Sequence, residues 1–239
     1  MHRPTLMRLV LGVGMLTMLM LALTACGTGS AQEEQANKEE ASKVRTIPDD
    51  SQWYEGKPLP AGRYVTEEFK PTMSFSLDKG WTRGGTELRD TWDMRDIENL
   101  DSWLVFSSAE KVYDPKGSDG LKIAPAPEDM VGWLQANPHL KPEEPKPTSV
   151  GGEKGMEFDA IVTGAVETPL CPGCVDLPLF RLSSGETTGV EKGEKIRFIV
   201  LDDVKGETVT IFVETSASGF EQFLPGAQKV VDSVKWKSS

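Results

Sequence analysis

Apolar and polar residues alternate along Gly62-Arg63-Tyr64-Val65-Thr66 and Met73-Ser74-Phe75-Ser76-Leu77. A period of two is the repeat of a strand with one face buried. Gly80-Trp81 and Gly84-Gly85 punctuate these runs as turns. Trp103-Leu104-Val105-Phe106 lacks polar breaks and predicts a buried strand, and Val112-Tyr113 runs into an Asp114-Pro115 turn. Met156, Phe158, Ile161 and Val162 begin a second group of strands. Lys195–Leu201 and Thr208–Val213 then flank Lys205-Gly206, which predicts a hairpin. Val209, Ile211 and Val213 share one face, and Thr208, Thr210 and Glu214 take mostly the other.

In two places the period lengthens to that of a helix. Met130, Trp133, Leu134 and Asn137 recur at i, i+3, i+4 and i+7. Glu128 and Asp129 fall where a helix dipole favours carboxylates, and Pro138 ends the segment. Near the C-terminus Phe220, Phe223, Leu224, Ala227, Val230 and Val231 form a second stripe. Ser218 and Glu221 match a capping box. Pro225 predicts a kink or two abutting short helices. Ser233-Val234-Lys235-Trp236 reads as a last strand. The pattern predicts an α+β fold: a mostly antiparallel sheet with a short internal helix and a kinked C-terminal helix. No internal repeat is visible.

Several local motifs resemble those of a group of uncharacterised bacterial lipoproteins. They are Pro58-Leu59-Pro60-Ala61-Gly62, the helix end Trp133-Leu134-x-x-Asn137-Pro138, Val150-Gly151-Gly152-x-x-Gly155 and Phe220-x-x-Phe223-Leu224-Pro225, followed by Ser233–Trp236. The late hairpin, C-terminal helix and short last strand are also similar to the PsbP-like α/β/α sandwich of photosystem extrinsic proteins. The resemblance implies a fold and brings no catalytic residues.

The N-terminus carries a different pattern. Arg3 and Arg8 precede an uncharged apolar stretch, Leu9–Leu23, of 15 residues. As a helix it would span about 22 Å, short of the roughly 20 residues that a bilayer needs, so it fits a signal-peptide core. Leu23-Thr24-Ala25-Cys26 resembles the lipobox of bacterial lipoproteins. That resemblance implies cleavage before Cys26 and attachment of diacylglycerol, with palmitate-type chains, to its thiol. Residues 1–25 are then a signal peptide. Residues 26–52, rich in Gln, Glu, Lys, Ala and Ser, are expected to form a lipidated, flexible polar tether, with a reach of about 25–30 Å. Residues 53–239 are expected to form a single domain, large enough for a full core.

The charge supports a lipid anchor over a basic one. The chain has 26 basic and 37 acidic residues, a net of −11. Loss of Arg3 and Arg8 with the signal peptide brings it to −13. An acidic body repels nucleic acid and anionic lipid, so the expected membrane contact is the acyl chain on Cys26, on the extracytoplasmic side.

One chemical motif stands out. In Cys171-Pro172-Gly173-Cys174, Pro and Gly suit the centre of a type II turn with Cα ends under 7 Å apart. That overlaps the range a disulfide requires. A redox Cys-x-x-Cys needs a stabilised thiolate. Here Pro178 follows four residues on, and Glu167 and Asp176 are the nearest charges, which favours a structural disulfide between Cys171 and Cys174 over thiol–disulfide oxidoreductase chemistry. Zinc would need two further ligands, and after cleavage His139 is the only histidine, so no metal is expected.

Other constellations fall short. No G-x-S-x-G elbow or P-loop occurs. Ser108-x-x-Lys111 lies in extended chain, and Gly151-Gly152-x-x-Gly155 reads as a turn. Asp90, Asp93 and Asp96 do not follow a calcium-loop spacing, and Asp93 and Asp96 read as a solvated face. The expectation is a lipid-anchored envelope protein that binds an envelope protein or small molecule, without catalysis and without a cofactor beyond its lipid. The alternatives are an extracytoplasmic oxidoreductase using Cys171 and Cys174, and a structural subunit of an envelope complex.

Overall fold

A computed structural model describes residues 43–47, 57–85, 87–115, 122–166 and 176–237. Cys26, Cys171 and Cys174 lie outside the described residues, as do the signal segment and most of the stretch read as tether. In chain order the strands are β1 (Val44–Thr46), β2 (Gly62–Val65), β3 (Met73–Leu77), β4 (Trp81–Arg83), β5 (Thr91–Asp96), β6 (Trp103–Ser107), β7 (Lys111–Tyr113) and β8 (Ile123–Pro125). After helix α1 (Met130–Gln135) come β9 (Leu140–Pro142), β10 (Lys146–Val150), β11 (Glu153–Val162), β12 (Asp176–Arg181) and β13 (Thr187–Glu191). The chain closes with β14 (Glu194–Val204), β15 (Glu207–Ser216), helix α2 (Phe220–Asp232) and β16 (Lys235–Trp236).

The central sheet has the order β10-β11-β14-β15-β6-β5-β4, with β9 also paired to β11. Its ladders are antiparallel. At the β14–β15 turn, Lys205 (φ 59°) and Gly206 (φ 91°) both take positive φ, the arrangement of a type I′ turn matched to strand twist.

Both faces of this sheet are covered, so its strands carry apolar side chains on both sides. On the first face Trp92, Leu104, Phe106 and Ile211 pack with Tyr64, Phe75 and the stripe of α2 in one core. Phe75 and Trp92 lie 4.5 Å apart and Trp92 and Phe106 5.3 Å apart, both tilted, as aromatic quadrupoles prefer. The cover here is α2 and a small sheet ordered β1-β2-β3-β16. β1 falls inside the stretch read as tether, yet it pairs in parallel with β2, Val44 against Arg63 through Thr46 against Val65.

On the second face, Phe158, Phe198 and Phe212 are register partners on three successive strands. They belong to a second core closed by α1 and by a third sheet, ordered β13-β12-β7-β8. Phe180 of β12 reaches down to Phe212 at 6.0 Å.

The helices differ from expectation in detail. α1 ends at Gln135, and Asp129 is its cap, with Oδ1 accepting from the Gly132 amide at 2.7 Å. Asn137 lies beyond the helix, where its Oδ1 accepts from the His139 amide. The Ser218–Glu221 capping box does not form. Gly219 is the cap residue of α2 and offers no side chain, while Glu221 pairs with Lys195 at 3.0 Å. α2 continues as one helix through Pro225, because five apolar side chains bury the stripe on both sides of the single hydrogen bond that proline withholds.

Candidate functional site

Register builds the site. On the second face of the central sheet, Phe158, Phe198, Phe212, Val105 and Asp93 form one cross-strand row, and Ala160, Ile196, Glu214, Trp103 and Arg95 form the next. Each row is apolar over β11 and β14 and gains polar groups beyond them, Glu214 on β15 and Asp93 and Arg95 on β5. Above that polar end the third sheet does not close down, and a cavity of about 430 Å³ remains.

Asp93, Trp103, Val105 and Glu214 make its floor, and Tyr113, Pro178 and the β13 run Thr187–Glu191 make its wall. Asp101, Asp176 and Glu194 complete its rim. Among its 14 described lining residues are six carboxylates and no Lys, Arg or His. The volume falls within the usual range of small-molecule sites.

Glu214 is 6% exposed. Its Oε2 accepts no hydrogen bond among the described residues, nor does Asp93 Oδ1. Burial drives the Glu214 carboxyl well above the usual carboxylate range, and the negative fields of Glu194, Asp93 and Glu191 push the same way. Burial raises Asp93 to about 6, although the Gly85 amide and the Arg95 and Arg83 guanidiniums pull it down. Burial likewise lifts Glu194 to about 7, even though Glu194 Oε2 accepts from the Glu191 amide at 2.7 Å. The leading cause is common to all three: burial in low-dielectric surroundings disfavours the charged form.

Two features fix the floor. The Arg95 guanidinium lies 3.6 Å above the Trp103 ring centroid, a cation–π contact. A methyl group on Gly84 would collide with Asp93 Oδ1 and come within 2.9 Å of Trp103 Cζ3. The glycine at 84 therefore admits the Asp93 and Trp103 side chains to this corner. In the wall, the Tyr113 hydroxyl lies 2.7 Å from Thr187 Oγ1 and accepts from Arg181 Nη1 at 3.3 Å.

The residues singled out in sequence fare differently. Asp93 is not on a solvated face but in the cleft floor, and its neighbours Trp92 and Met94 are core. Asp90 is also buried, accepting from the Ser183 amide at 2.6 Å and its hydroxyl at 2.9 Å. Asp96 turns to the Glu98 amide at 2.8 Å. Ser108 and Lys111 line a second cavity of about 510 Å³, where Ser108 Oγ donates to the Lys70 carbonyl. In that cavity acids and bases mix, and Arg89 pairs with Glu110 at 3.4 Å and with Glu207 at 3.6 Å. The Cys171–Cys174 pair lies outside the described residues, in a segment whose flanks are joined by a 3.0 Å hydrogen bond from the Val166 amide to the Asp176 carbonyl. Among the described residues no three His, Cys, Asp or Glu side chains converge as a metal site. Sequence reading missed Glu214 and Glu194. The available signal was Phe212 and Ile196, apolar residues on the face assigned to polar groups, which marked that face as covered.

Fold and site define an α+β protein with an acidic cleft between two sheets. No protein-family model matches the chain, and no curated protein matches it. Among solved structures it is similar to cyanobacterial PsbP (CyanoP) from Synechocystis sp. PCC 6803, at 13% identity and a TM-score of 0.37, over 74% of this chain and 92% of that one. It is also similar to LpqN, involved in cell envelope biogenesis of Mycobacterium tuberculosis, at 9% identity and a TM-score of 0.34, over 76% of this chain and 90% of that one. Among the described residues no helix is long and apolar enough to cross a membrane.

Proposed function

We propose that this chain is a lipid-anchored protein of the extracytoplasmic face of a bacterial membrane, and that its folded body binds a small ligand in the acidic cleft without catalysis. The address rests on Arg3, Arg8, the apolar run Leu9–Leu23 and the lipobox-like Leu23–Cys26. One acyl chain gives marginal membrane affinity and two or more give stable attachment. The binding reading rests on one observation: Glu214 is buried in the floor of a cleft lined by other carboxylates, and its Oε2 has no partner among the described residues. A protein interior rarely keeps a polar group in that state unless something completes it.

Two measurements test the two halves. Native protein is expected in the detergent phase of a Triton X-114 separation, and Cys26→Ser in the aqueous phase; an aqueous native protein ends the anchoring half. Native mass spectrometry of envelope-purified protein is expected to show a non-covalent small-molecule adduct that Thr188→Trp, which crowds the cleft wall, abolishes. An adduct retained by that variant would place binding elsewhere and end the cleft half.

A further inference from the structure

We propose that the cleft ligand is a small organic cation, an amine or guanidinium compound whose charged head sits on Glu214 and Asp93 and whose carbon skeleton lies along Trp103, Val105 and Tyr113. The inference rests on the cleft-binding reading above and names the chemical class of its ligand.

Charge balance is the first argument. Among the described residues six carboxylates line the cleft and no lysine, arginine or histidine does. The Arg95 guanidinium stands at the edge of the floor, already stacked on Trp103, Arg83 also acts on Asp93, and two cations do not offset six acids. An anionic ligand would meet repulsion from every side. A neutral one could donate hydrogen bonds to Glu214 Oε2 and Asp93 Oδ1, which are buried and without partners among the described residues, but would leave the acidic excess of the cleft uncompensated.

Shape and polarity narrow the choice. A bare divalent ion needs six or more oxygens converging on one point, and no such group exists among the described residues. The carboxylates are instead spread around about 430 Å³ of space, which an organic molecule fills and an ion does not. Between them lie aliphatic and aromatic surfaces, Val105, Val190, Pro178 and Trp103, suited to methylene groups. The floor shows the same chemistry in miniature. Arg95 lays a guanidinium on an aromatic ring beside Asp93, two residues away on the same face of β5.

Isothermal titration of the full-length protein in detergent, at pH 7.5 and low salt, tests this with agmatine, putrescine, tetramethylammonium, calcium chloride and glutarate. The expected result is one-site binding of at least one of the three organic cations, weakened tenfold or more by Glu214→Gln. Glu191→Gln at the exposed end of the wall, where folding is not at stake, is expected to weaken it two- to fivefold. Calcium binding in place of the amines overturns the proposal. So does amine binding that neither variant changes, which would be diffuse charge screening. Glutarate binding that Thr188→Trp abolishes overturns the cation assignment and leaves the cleft as a binding site. Failure of all five probes overturns the assignment, and loss of the native adduct test as well would remove the cleft reading beneath it.

Discussion

Glu214 and Trp103 face each other across the β15–β6 ladder, and Arg95 covers the Trp103 ring from the next strand. A carboxylate, an indole and a guanidinium thus succeed one another in a single cross-strand row. The carboxylate end is the costly one, because its partner in the ladder is a ring and its neighbours Asp93 and Glu194 are acids.

That cost makes stability depend on pH in a definite direction. Asp93 at about 6, Glu194 at about 7 and Glu214 well above its ordinary value all hold protons in the folded state that the unfolded chain releases near pH 4–4.5. Their contribution is complete below the unfolded values and is lost as pH rises through the folded ones. Urea unfolding midpoints are expected to fall between pH 4.5 and 7.5. Glu214→Gln, which keeps the shape and removes the charge, is expected to flatten this slope and raise stability at pH 7.5 by about 1–3 kcal/mol. A midpoint that climbs over this interval contradicts the burial of these groups.

Gly84→Ala forces a methyl group into Asp93 and Trp103. Overpacking of this kind costs about 1–3 kcal/mol. Because the clash is with the Asp93 carboxyl, Asp93→Ala in the same chain is expected to recover part of the loss. A double-mutant cycle with no coupling would show that the two do not meet.

Asp159 on β11 is the register partner of Arg197 on β14 and grips it through two hydrogen bonds, Nε–Oδ1 at 2.7 Å and Nη2–Oδ2 at 3.2 Å. Lys195 adds a contact to Oδ2 at 3.4 Å. Asp159→Ala would leave two half-buried cations without their shared acid. The expected loss is about 2–4 kcal/mol, somewhat below that of a fully buried pair because Arg197 and Lys195 keep some contact with water. Chemical denaturation of Asp159→Ala beside Arg197→Met checks it, with Arg197→Met expected to be the milder.

Lys205 takes φ 59° in the β14–β15 turn, where asparagine is favoured over lysine. Its 3.9 Å ion pair with Glu153 is exposed and contributes little. Lys205→Asn is expected to stabilise the protein by about 0.5–1 kcal/mol, seen as a thermal midpoint roughly 1–4 °C higher.

The Cys171–Cys174 pair is expected to form one intramolecular bridge. Intact mass before and after alkylation under non-reducing conditions reads it directly, and two alkylated thiols would refute it. A loop this short stabilises by only about 2 kcal/mol in the chain-entropy account, so reduction is expected to leave the body folded.

Strands were legible where one period ruled. Gly62–Val65, Met73–Leu77, Trp103–Phe106 and the β14–β15 hairpin follow directly from alternation and from Lys205-Gly206. The end of α1 and the start of α2 were less so. A cap depends on which side chain has a nearer partner, and Lys195, distant in sequence, takes Glu221. The site was hidden for a related reason. Alternation says which residues share a face, but not that a third sheet covers the second face. Asp93 and Glu214 look like ordinary solvent-side acids until β12 and β13 are folded over them. Asp90, too, owes its burial to Ser183, a partner far along the chain.

The placement of β1 has a mechanical consequence. It belongs to the small sheet on the first face, joined to β2 by its ladder and by the hydrogen bond from Arg45 to the Ala61 carbonyl at 2.9 Å, whereas the acidic cleft opens on the second face. Tension entering through the chain before Val44 is carried into β2 and spreads through that sheet, on the far side of the central ladders. The cleft walls belong to neither β1 nor its ladder, so a pull applied before Val44 is expected to load the small sheet first and to spare the geometry around Glu214.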